Sequence, residues 1–399
     1  MQFSKTVQLH FFAVFLPDMA YCEKKSEKVA EGLLKNLHFQ FKRLFYKFDL
    51  TVHFALVFSM KGKITMSKAY NVAVAGATGA VGIEMIKTLE KRNFPVKNLK
   101  LLASARSAGK KLTFKGTEIT IEEMTENSFK GVDIALFSAG GDISKQYRKV
   151  VVDAGCVMVD NSSAFRMDDD VPLVVPEVNP EDVKWHNGVI ANPNCTTAIM
   201  LVAVAPLHRA KKLKRLVAAT YQATSGAGAK GMEELVVQTR QLLNGEAIEP
   251  KAFAHRIGFN LIPHIDVFYD NGYTKEELKM LNESRKMLHL PELQLSCTCV
   301  RIPVLRAHSE SLNMEFEEDI TPDEVRAILS KAPGVQVVDD PMNKVYPMPI
   351  DATEKYDVLA GRIRQDISRN DLKGIEMFVT GDQLLKGAAL NAVQIAELL

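Results

Sequence analysis

From about residue 67 onward, short apolar runs alternate with stretches of helical periodicity. The run YNVAVA (70–75) leads into a glycine turn, and AVGIEMIKTLEKR (80–92) then repeats apolar residues at helical spacing. Further strands are predicted around KLLASARS, VDIALFSAG and GCVMVDNSS. Strand and helix in alternation indicate a parallel, doubly wound sheet. Consecutive apolar residues within the strands favour a sheet that is covered on both faces.

After about residue 195 the pattern changes. The segment 198–213 has helical spacing, 215–224 is predicted as a strand, and a long helix follows to about Leu243. The long strands LSCTCVRIPVL and SLNMEFEE lie close together in the sequence, which suits an antiparallel sheet. A helix with clear end signals is predicted at 321–334, two more strands at 354–366 and 374–382, and an apolar-faced helix from Gln383. The second half therefore predicts an α+β domain with a mixed, largely antiparallel sheet.

The first 66 residues differ from the rest, because they are rich in Lys and Phe and show no clean period. We expect them to lie outside the fold. The codons for KGKITM (61–66) would resemble a bacterial ribosome-binding site just before Met66, which is the expected start of the natural protein. We expect residues 67–195 and 376–399 to form one domain, since the last helix must dock on an apolar surface, and residues 196–375 to form the other.

The composition is that of an ordinary globular protein, with 47% hydrophobic and 25% charged residues and a formal net charge of +2. This balance gives no electrostatic reason to expect a nucleic-acid or membrane partner. No apolar run reaches the ~18 residues that span a bilayer. The five cysteines are an odd and low number, which favours a reducing cytosol over a disulfide scaffold. No metal site is predicted, because CxxC and HExxH are absent and Cys297 and Cys299 fit one face of a strand.

The glycine turn GATGAVG (76–82) predicts a dinucleotide site. Glycine lets the backbone turn tightly and approach a pyrophosphate, which the amides at a helix N-terminus then bind. The predicted cofactor-binding residues here are Gly76, Thr78, Gly79, Ala80 and Val81. The second strand ends in Arg106 and Ser107 rather than in the acid that binds an NAD ribose, so NADP is the predicted cofactor. The alternative is that Arg106 is only an exposed loop residue.

Cys195 lies at the predicted start of a helix, beside Thr196 and Thr197. The partial positive charge of a helix N-terminus stabilises a thiolate, so a nucleophile is one interpretation. The alternative is a small core residue, as most free cysteines are.

Several motifs occur together and in order: GATGAVG, LASARSAGK, VDNSSAFR, VPLVVPEVN, NPNCTT, YQATSGAGAKG, CVRIPVLRAHSES and LLKGAALNAVQIAE. From about residue 68 to the C-terminus, the chain resembles the aspartate-semialdehyde dehydrogenase family, in its shorter bacterial branch. The resemblance implies a Rossmann-like NADP-binding domain, a catalytic and dimerisation domain, and a cytoplasmic homodimer. It also implies reduction of L-aspartyl 4-phosphate to L-aspartate 4-semialdehyde through a cysteine thioester, in lysine, methionine, threonine and diaminopimelate biosynthesis.

The resemblance also implies roles for single residues. Cys195 would be the nucleophile, His308 the general acid/base paired with it, and Gln222 the group that orients the thioester carbonyl. The implied substrate contacts are Arg301 to the α-carboxylate, Glu276 to the α-ammonium, and Arg166 and Lys279 to the phosphate.

The spacing adds one independent observation, because Glu276 and Lys279 are three apart on the candidate helix 274–288 and share a face. Arg301 and His308 lie on neighbouring strand stretches that can converge on one cleft. Ser225, Gly226 and, less directly, Gln383 would contact the nicotinamide end of the cofactor.

Three other functions stay open on the residues. An N-acetyl-γ-glutamyl-phosphate reductase would run the same chemistry but would not need Glu276 for a free ammonium. A glyceraldehyde-3-phosphate dehydrogenase also places threonine beside its cysteine, but Arg106 and the missing acid of the second strand argue against it. A non-catalytic dinucleotide-binding regulator would have no reason to keep Cys195, His308 and Arg301 together.

Overall fold

Two β-sheets organise the part of the chain that the structure, a computed structural model, describes, which is residues 68–399. The predictions of an N-terminal extension over 1–66 and of a start at Met66 fall outside the described residues. No helix within 68–399 is long and apolar enough to cross a bilayer.

The first sheet has seven strands in the order β3-β4-β2-β1-β5-β6-β7, and all neighbours run parallel except β3 and β4. The strands are β1 Tyr70–Ala75, β2 Val96–Ala103, β3 Lys111–Phe114, β4 Thr117–Glu123, β5 Ile134–Phe137, β6 Val157–Asp160 and β7 Val189–Ala191. The eight α-helices of the described chain are α1 Ala80–Lys91, α2 Gly141–Asp153, α3 Cys195–Lys211, α4 Gly228–Asn244, α5 Lys275–Met287, α6 Pro322–Leu329, α7 Pro349–Ala352 and α8 Leu390–Ala396.

Alternate residues of β1 face opposite sides of this sheet, and helices cover both sides. Val72 and Val74 pack with apolar residues of α1 and α8. Ala73 and Ala75 belong to the other core, which includes residues of α2. The prediction of a doubly wound sheet is therefore confirmed, and the consecutive apolar residues follow from burial on both faces.

The second sheet is mixed and has six strands in the order β11-β12-β13-β10-β8-β9. The strands are β8 Leu213–Gln222, β9 Gln294–Arg301, β10 His308–Phe316, β11 Val335–Val337, β12 Val358–Gln365 and β13 Gly374–Gly381. Helix α3 packs on one face of this sheet together with α5 and α6. The mixed sheet predicted for the second half is confirmed.

The two long strands β9 and β10 are not neighbours, contrary to what their closeness in the sequence suggested. Strand β8 lies between them, antiparallel to β10 and parallel to β9. The loop 302–307 crosses the end of β8, where the amide of Thr224 donates to the Val304 carbonyl at 2.8 Å. This crossing places Arg301 and His308 on either side of Gln222.

The C-terminal segment returns to the first sheet, where Val393 and Ile395 of α8 join the core that contains Val72. The domain boundary predicted between 375 and 376 falls inside β13, whose residues pair within the second sheet. The chain therefore leaves the second sheet only after Gly381. It then forms a π-helical turn, Leu385–Ala389, before α8, where the sequence predicted one helix from Gln383.

Candidate active site

The glycine turn joins β1 to α1 as the sequence predicts. Gly76 has φ +83°, and a side chain there would collide with the backbone of Ser138 at the end of β5. A side chain at Gly82 would collide with the Gly76 carbonyl, so α1 can pack this closely only on a glycine. Thr78 and Gly79 are exposed, and Ala80 and Val81 begin α1, so the first amides of the helix are open to a ligand.

The turn that follows β2 contains Arg106, in the short 3₁₀ segment Ala105–Ser107. Arg106 is exposed and Ser107 is buried. No acid occupies the end of β2, so the carboxylate that would bind a ribose hydroxyl is missing there.

Cys195 is the first residue of α3. The side-chain oxygen of Asn194 caps the helix by accepting from the amides of Thr196 at 3.0 Å and Thr197 at 3.2 Å. Gly387 of the π-helical turn packs directly on the cysteine, since a side chain at 387 would lie 2.6 Å from the Cys195 Cβ. Two elements that are remote in sequence therefore fix the position of the thiol.

A cavity of about 420 Å³ opens at this thiol. Its lining includes most of the predicted catalytic and substrate-binding residues, the predicted nicotinamide contacts, and one residue of the glycine turn. They are Cys195, Gln222, Arg301, Glu276, Arg166, Lys279, Val81, Ser225, Gly226 and Gln383. The remaining cofactor residues, Gly76, Thr78, Gly79, Ala80, Arg106 and Ser107, lie outside this lining.

His308 lies directly behind the cavity wall. It is fully buried, and its Nδ1 accepts a hydrogen bond from the Ala223 amide at 3.0 Å, so the proton of the neutral ring is on Nε2. Nε2 has no hydrogen-bond partner within residues 68–399. A side chain at Gly226 would lie 3.1 Å from Nε2 and 2.7 Å from Arg301 Nη1, so only glycine leaves space beside both groups. Burial, together with the charge of Arg301, holds the pKa of His308 well below its usual value.

The predicted stabilisation of a Cys195 thiolate is wrong for this arrangement. Burial, followed by the charge of Glu276, raises the pKa of the thiol to about 11. Thr196, Arg301 and Arg166 oppose this shift, but they do not outweigh it. The thiol bonds to the Thr196 hydroxyl at 3.8 Å, and no hydrogen bond joins it to His308 among the described residues.

Glu276 and Lys279 share one face of α5, as their spacing predicts. Glu276 accepts from Asn194 Nδ2 at 2.9 Å and from Lys279 Nζ at 3.0 Å. Lys279 also donates to Asp266 at 2.7 Å. Burial lowers the pKa of Lys279, but the two carboxylates outweigh it and raise the pKa above its usual value. The ammonium is therefore a permanent positive charge in the cavity.

Two arginines complete the charge pattern. Arg301 donates from Nη1 to the Ala223 carbonyl at 2.6 Å, and its guanidinium forms no ion pair within the described residues. Arg166 donates to the Asn192 and Asn161 carbonyls and to Glu283 at 3.0 Å. The sequence interpretation missed Glu283, although it lies seven residues after Glu276 on the same helix face, and it missed the cap Asn194.

The fold and the site define a cysteine-dependent oxidoreductase. The glycine turn opens to a dinucleotide, and a thiol, an imidazole and two arginines surround one cavity. Residues 71–186 match the family described as semialdehyde dehydrogenase, NAD binding domain, and residues 204–386 match semialdehyde dehydrogenase, dimerisation domain. The chain belongs to the aspartate-semialdehyde dehydrogenase family, and the resemblance seen in its motifs is confirmed.

Known relatives are similar over nearly their whole length. The aspartate-semialdehyde dehydrogenase of Aquifex aeolicus (strain VF5) is 56% identical over 335 residues, which cover 83% of this chain and 98% of the relative. That of Bacillus subtilis (strain 168) is 51% identical over 340 residues, with the same two shares. The crystal structure of aspartate semialdehyde dehydrogenase II from Vibrio cholerae, complexed with ASA, is 46% identical, with a TM-score of 0.81 over 84% of this chain and 98% of that one.

Proposed function

We propose that the chain catalyses the reaction of L-aspartyl 4-phosphate, NADPH and a proton to L-aspartate 4-semialdehyde, phosphate and NADP⁺, and the reverse reaction. The observation that carries the proposal is the charge pattern around the Cys195 thiol. Arg301 and the Arg166–Lys279 pair offer cations for two anionic groups, and Glu276 offers an anion for an ammonium. An aspartyl phosphate has these three charged groups.

The chemistry follows in two stages. The Cys195 sulfur attacks the acyl carbon, a C–S bond forms, and the bond to the phosphate oxygen breaks, with the thiol proton ending on the departing phosphate. The bound dinucleotide supplies the hydride that reduces the thioester carbonyl. The C–S bond then breaks, the aldehyde leaves, and one proton restores the thiol.

The residues around the thiol divide the remaining tasks. His308 acts through Nε2, because Nδ1 accepts from the Ala223 amide. The Nε2–H donates a hydrogen bond to the oxygen on which charge develops, and in this tautomer it does not take up the thiol proton. Gln222 lines the cavity and bonds to Thr220 at 3.3 Å, which supports a role in orienting the thioester carbonyl. Arg166 and Lys279 hold the phosphate, while Arg301 holds the α-carboxylate in a paired hydrogen bond.

NADP is the proposed cofactor, bound across the glycine turn. The Gly79 amide already donates to the Gly76 carbonyl at 3.0 Å, so the amides of Thr78, Ala80 and Val81 are the ones that fit the pyrophosphate, and Arg106 fits a 2′-phosphate. Ser225 and Gln383 fit the nicotinamide end, because they hydrogen-bond each other in the cavity of Cys195. A Candida albicans relative whose title reads "with NADP" is 26% identical to this chain, with a TM-score of 0.66 over 83% of this chain and 98% of that one, which is in keeping with this choice.

The test is an NADP-reduction assay with aspartate semialdehyde and phosphate. We expect activity in the wild type, none above background in Cys195→Ala, and a lower rate with NAD. In Arg106→Ser the preference for NADP over NAD should fall about tenfold, since one charge-assisted contact is lost. An inactive wild type, or a fully active Cys195→Ala, would overturn the proposal.

We further propose that the enzyme is a homodimer that packs across the open face of the second sheet. On this face, opposite α3, Tyr221 and Thr298 are exposed, and the Tyr221 ring lies 6.1 Å from the ring of Phe378. The match of residues 204–386 to a dimerisation domain supports the proposal. Thr298→Arg should yield monomers in sedimentation velocity, while Met342→Arg, at a position 91% exposed, should leave the dimer intact.

The same proposal includes the domain division and the location. Residues 67–195 with the C-terminal segment form the NADP-binding domain, and the intervening residues form the catalytic and dimerisation domain. A reducing cytosol fits an enzyme whose nucleophile is a thiol and whose described cysteines, Cys156, Cys195, Cys297 and Cys299, are all free.

A further inference from the structure

One buried carboxylate connects two parts of the cavity wall. Glu283 of α5 is 1% exposed. Its Oε1 accepts from Arg166 Nη1 at 3.0 Å, and its Oε2 accepts from the backbone amide of Asn194 at 2.6 Å. Asn194 directly precedes the cysteine and caps α3, so a single side chain holds both the phosphate-site arginine and the start of the nucleophile's helix.

The helix geometry explains how Glu283 reaches both partners. Glu276, Lys279 and Glu283 stand at i, i+3 and i+7 of α5 and so share one face. Glu276 and Lys279 line the main cavity, whereas Glu283 does not. Burying a carboxylate is costly unless it is paired and hydrogen-bonded, and here both oxygens have a partner.

Arg166 has little freedom of its own in this arrangement. Nε donates to the Asn192 carbonyl at 2.9 Å, Nη2 to the Asn161 carbonyl at 3.0 Å, and Nη1 to Glu283. Three of its five N–H groups are thus committed to the protein, and the remaining two form no hydrogen bond within residues 68–399. Of these three contacts, Glu283 is the charged one.

We propose that Glu283 is a positioning residue that orients Arg166 toward the phosphate and ties it to the Asn194 amide at the start of α3. This inference rests on the proposed function only in naming phosphate as the ligand of Arg166. Glu283 itself touches neither the substrate nor the cofactor. It acts through Arg166 and Asn194.

The main variant is Glu283→Gln, and Glu277→Gln is its matched control. Glutamine keeps the size of the side chain and can still accept from the Asn194 amide, but it loses the charge that pairs with Arg166. Glu277 is a second buried glutamate on α5, with purely structural bonds to the Thr274 and Cys299 amides at 2.7 and 3.0 Å. Loss of stability alone should therefore appear in both variants.

In the oxidative direction we expect Glu283→Gln to raise KM for inorganic phosphate about tenfold, the scale of one charge-assisted hydrogen bond, and to leave KM for the semialdehyde within about twofold. Glu277→Gln should leave both values unchanged. In an Arg166→Ala background, Glu283→Gln should add no further increase in the phosphate KM, because the effect runs through the arginine. An unchanged phosphate KM, or an increase that persists without Arg166, would overturn the inference.

Two additions keep the test decisive. If Glu283→Gln does not fold, Glu283→Asp replaces it in the double-mutant cycle with Arg166→Ala. Aspartate keeps the charge but has a shorter side chain, so KM for inorganic phosphate should rise less. That rise should again be absent in the Arg166→Ala background. If the wild type shows no turnover, the proposed function fails, and KM can no longer be measured. The readout is then the degree to which inorganic phosphate protects Cys195 from alkylation by iodoacetamide, measured on the Cys195 peptide by mass spectrometry. Protection that weakens in Glu283→Gln and not in Glu277→Gln supports the inference, and equal protection in both contradicts it.

Discussion

Glu310 is a buried carboxyl group that the proposed chemistry does not use. It stands two residues beyond His308 on β10, on the same face of the strand, and opposite Thr220 of β8. Neither of its oxygens has a hydrogen-bond partner within the described residues. Burial raises the pKa of Glu310 well above its usual value, so the folded protein keeps this group protonated in conditions where the unfolded chain ionises it.

The consequence is a pH dependence of stability with a definite sign. Because the folded pKa is raised, the folded state holds a proton that the unfolded state loses above about pH 4.3, and stability falls as the pH rises from there toward the folded pKa. Glu310→Gln has no ionisable group at this position, so it lacks this contribution to the pH dependence of stability. We expect its melting temperature to decline less steeply than that of the wild type between pH 5 and 8. An equal decline of melting temperature with pH in the wild type and in Glu310→Gln would contradict the account.

At the level of single residues, the sequence predicts what one element contains and misses what a distant element contributes. Glu276 and Lys279 are found from their spacing on one helix. The Arg166–Glu283 pair joins positions 117 apart, and nothing in local periodicity indicates it. The pKa of Cys195 is likewise set by burial and by Glu276, so the helix N-terminus alone gave the wrong direction.

Two elements meet at the nucleophile, and a glycine makes the meeting possible. The π-helical turn Leu385–Ala389 approaches the first residue of α3 so closely that a side chain at Gly387 would lie 2.6 Å from the Cβ and 3.0 Å from the Cα of Cys195. Single π-helical turns of this kind occur frequently at functional sites. The backbone of the turn thereby forms one wall of the cavity.

We therefore expect Gly387→Ala to displace the thiol, because backbone and Cβ atoms cannot yield as a flexible side chain can. Turnover should fall by at least about a hundredfold, the scale of a 1 Å misplacement of a reacting group. Ala389→Gly, in the same turn, tests for general loosening and should retain most of the activity. Steady-state turnover and the melting temperature are measured for both variants. Near-normal turnover in Gly387→Ala would refute the prediction that the thiol is displaced.

The sequence predicts helices and strands where apolar periodicity is strong. It does not predict which strands pair when a long connection lies between them. Strands β1, β5 and β6 were predicted from apolar runs, which burial on both faces of the sheet explains. Helix α6 was predicted from its end signals, and Thr321 caps it with Pro322 as its first residue. The β3–β4 hairpin was missed because its strands are mostly exposed, and β7 because it has three residues. The parallel β8–β9 pair arises from the long connection through α4 and α5, which no local pattern specifies.

Across the whole molecule, the C-terminal segment is held by a buried ion pair. Lys386 is 1% exposed and pairs with Glu177, in the chain between β6 and β7. It also donates to Asn391 at 2.9 Å and to Gln394 at 2.8 Å, so its ammonium is fully hydrogen-bonded. Burial lowers the pKa of Lys386, although Glu177 opposes the shift. The pair anchors the turn that carries Gly387 to a segment more than two hundred residues earlier.

Breaking this pair on one side should cost much more than replacing both partners. Lys386→Met leaves the Glu177 carboxylate without its buried counter-charge, and we expect a loss of about 3–5 kcal/mol in the free energy of unfolding. Adding Glu177→Gln removes the stranded charge and keeps an amide that can bond to Gln394, so the double variant should recover most of that loss. Urea unfolding of the wild type, both single variants and the double variant measures the coupling. If the double variant is as unstable as Lys386→Met, the anchor depends on the packing of the lysine side chain rather than on its charge.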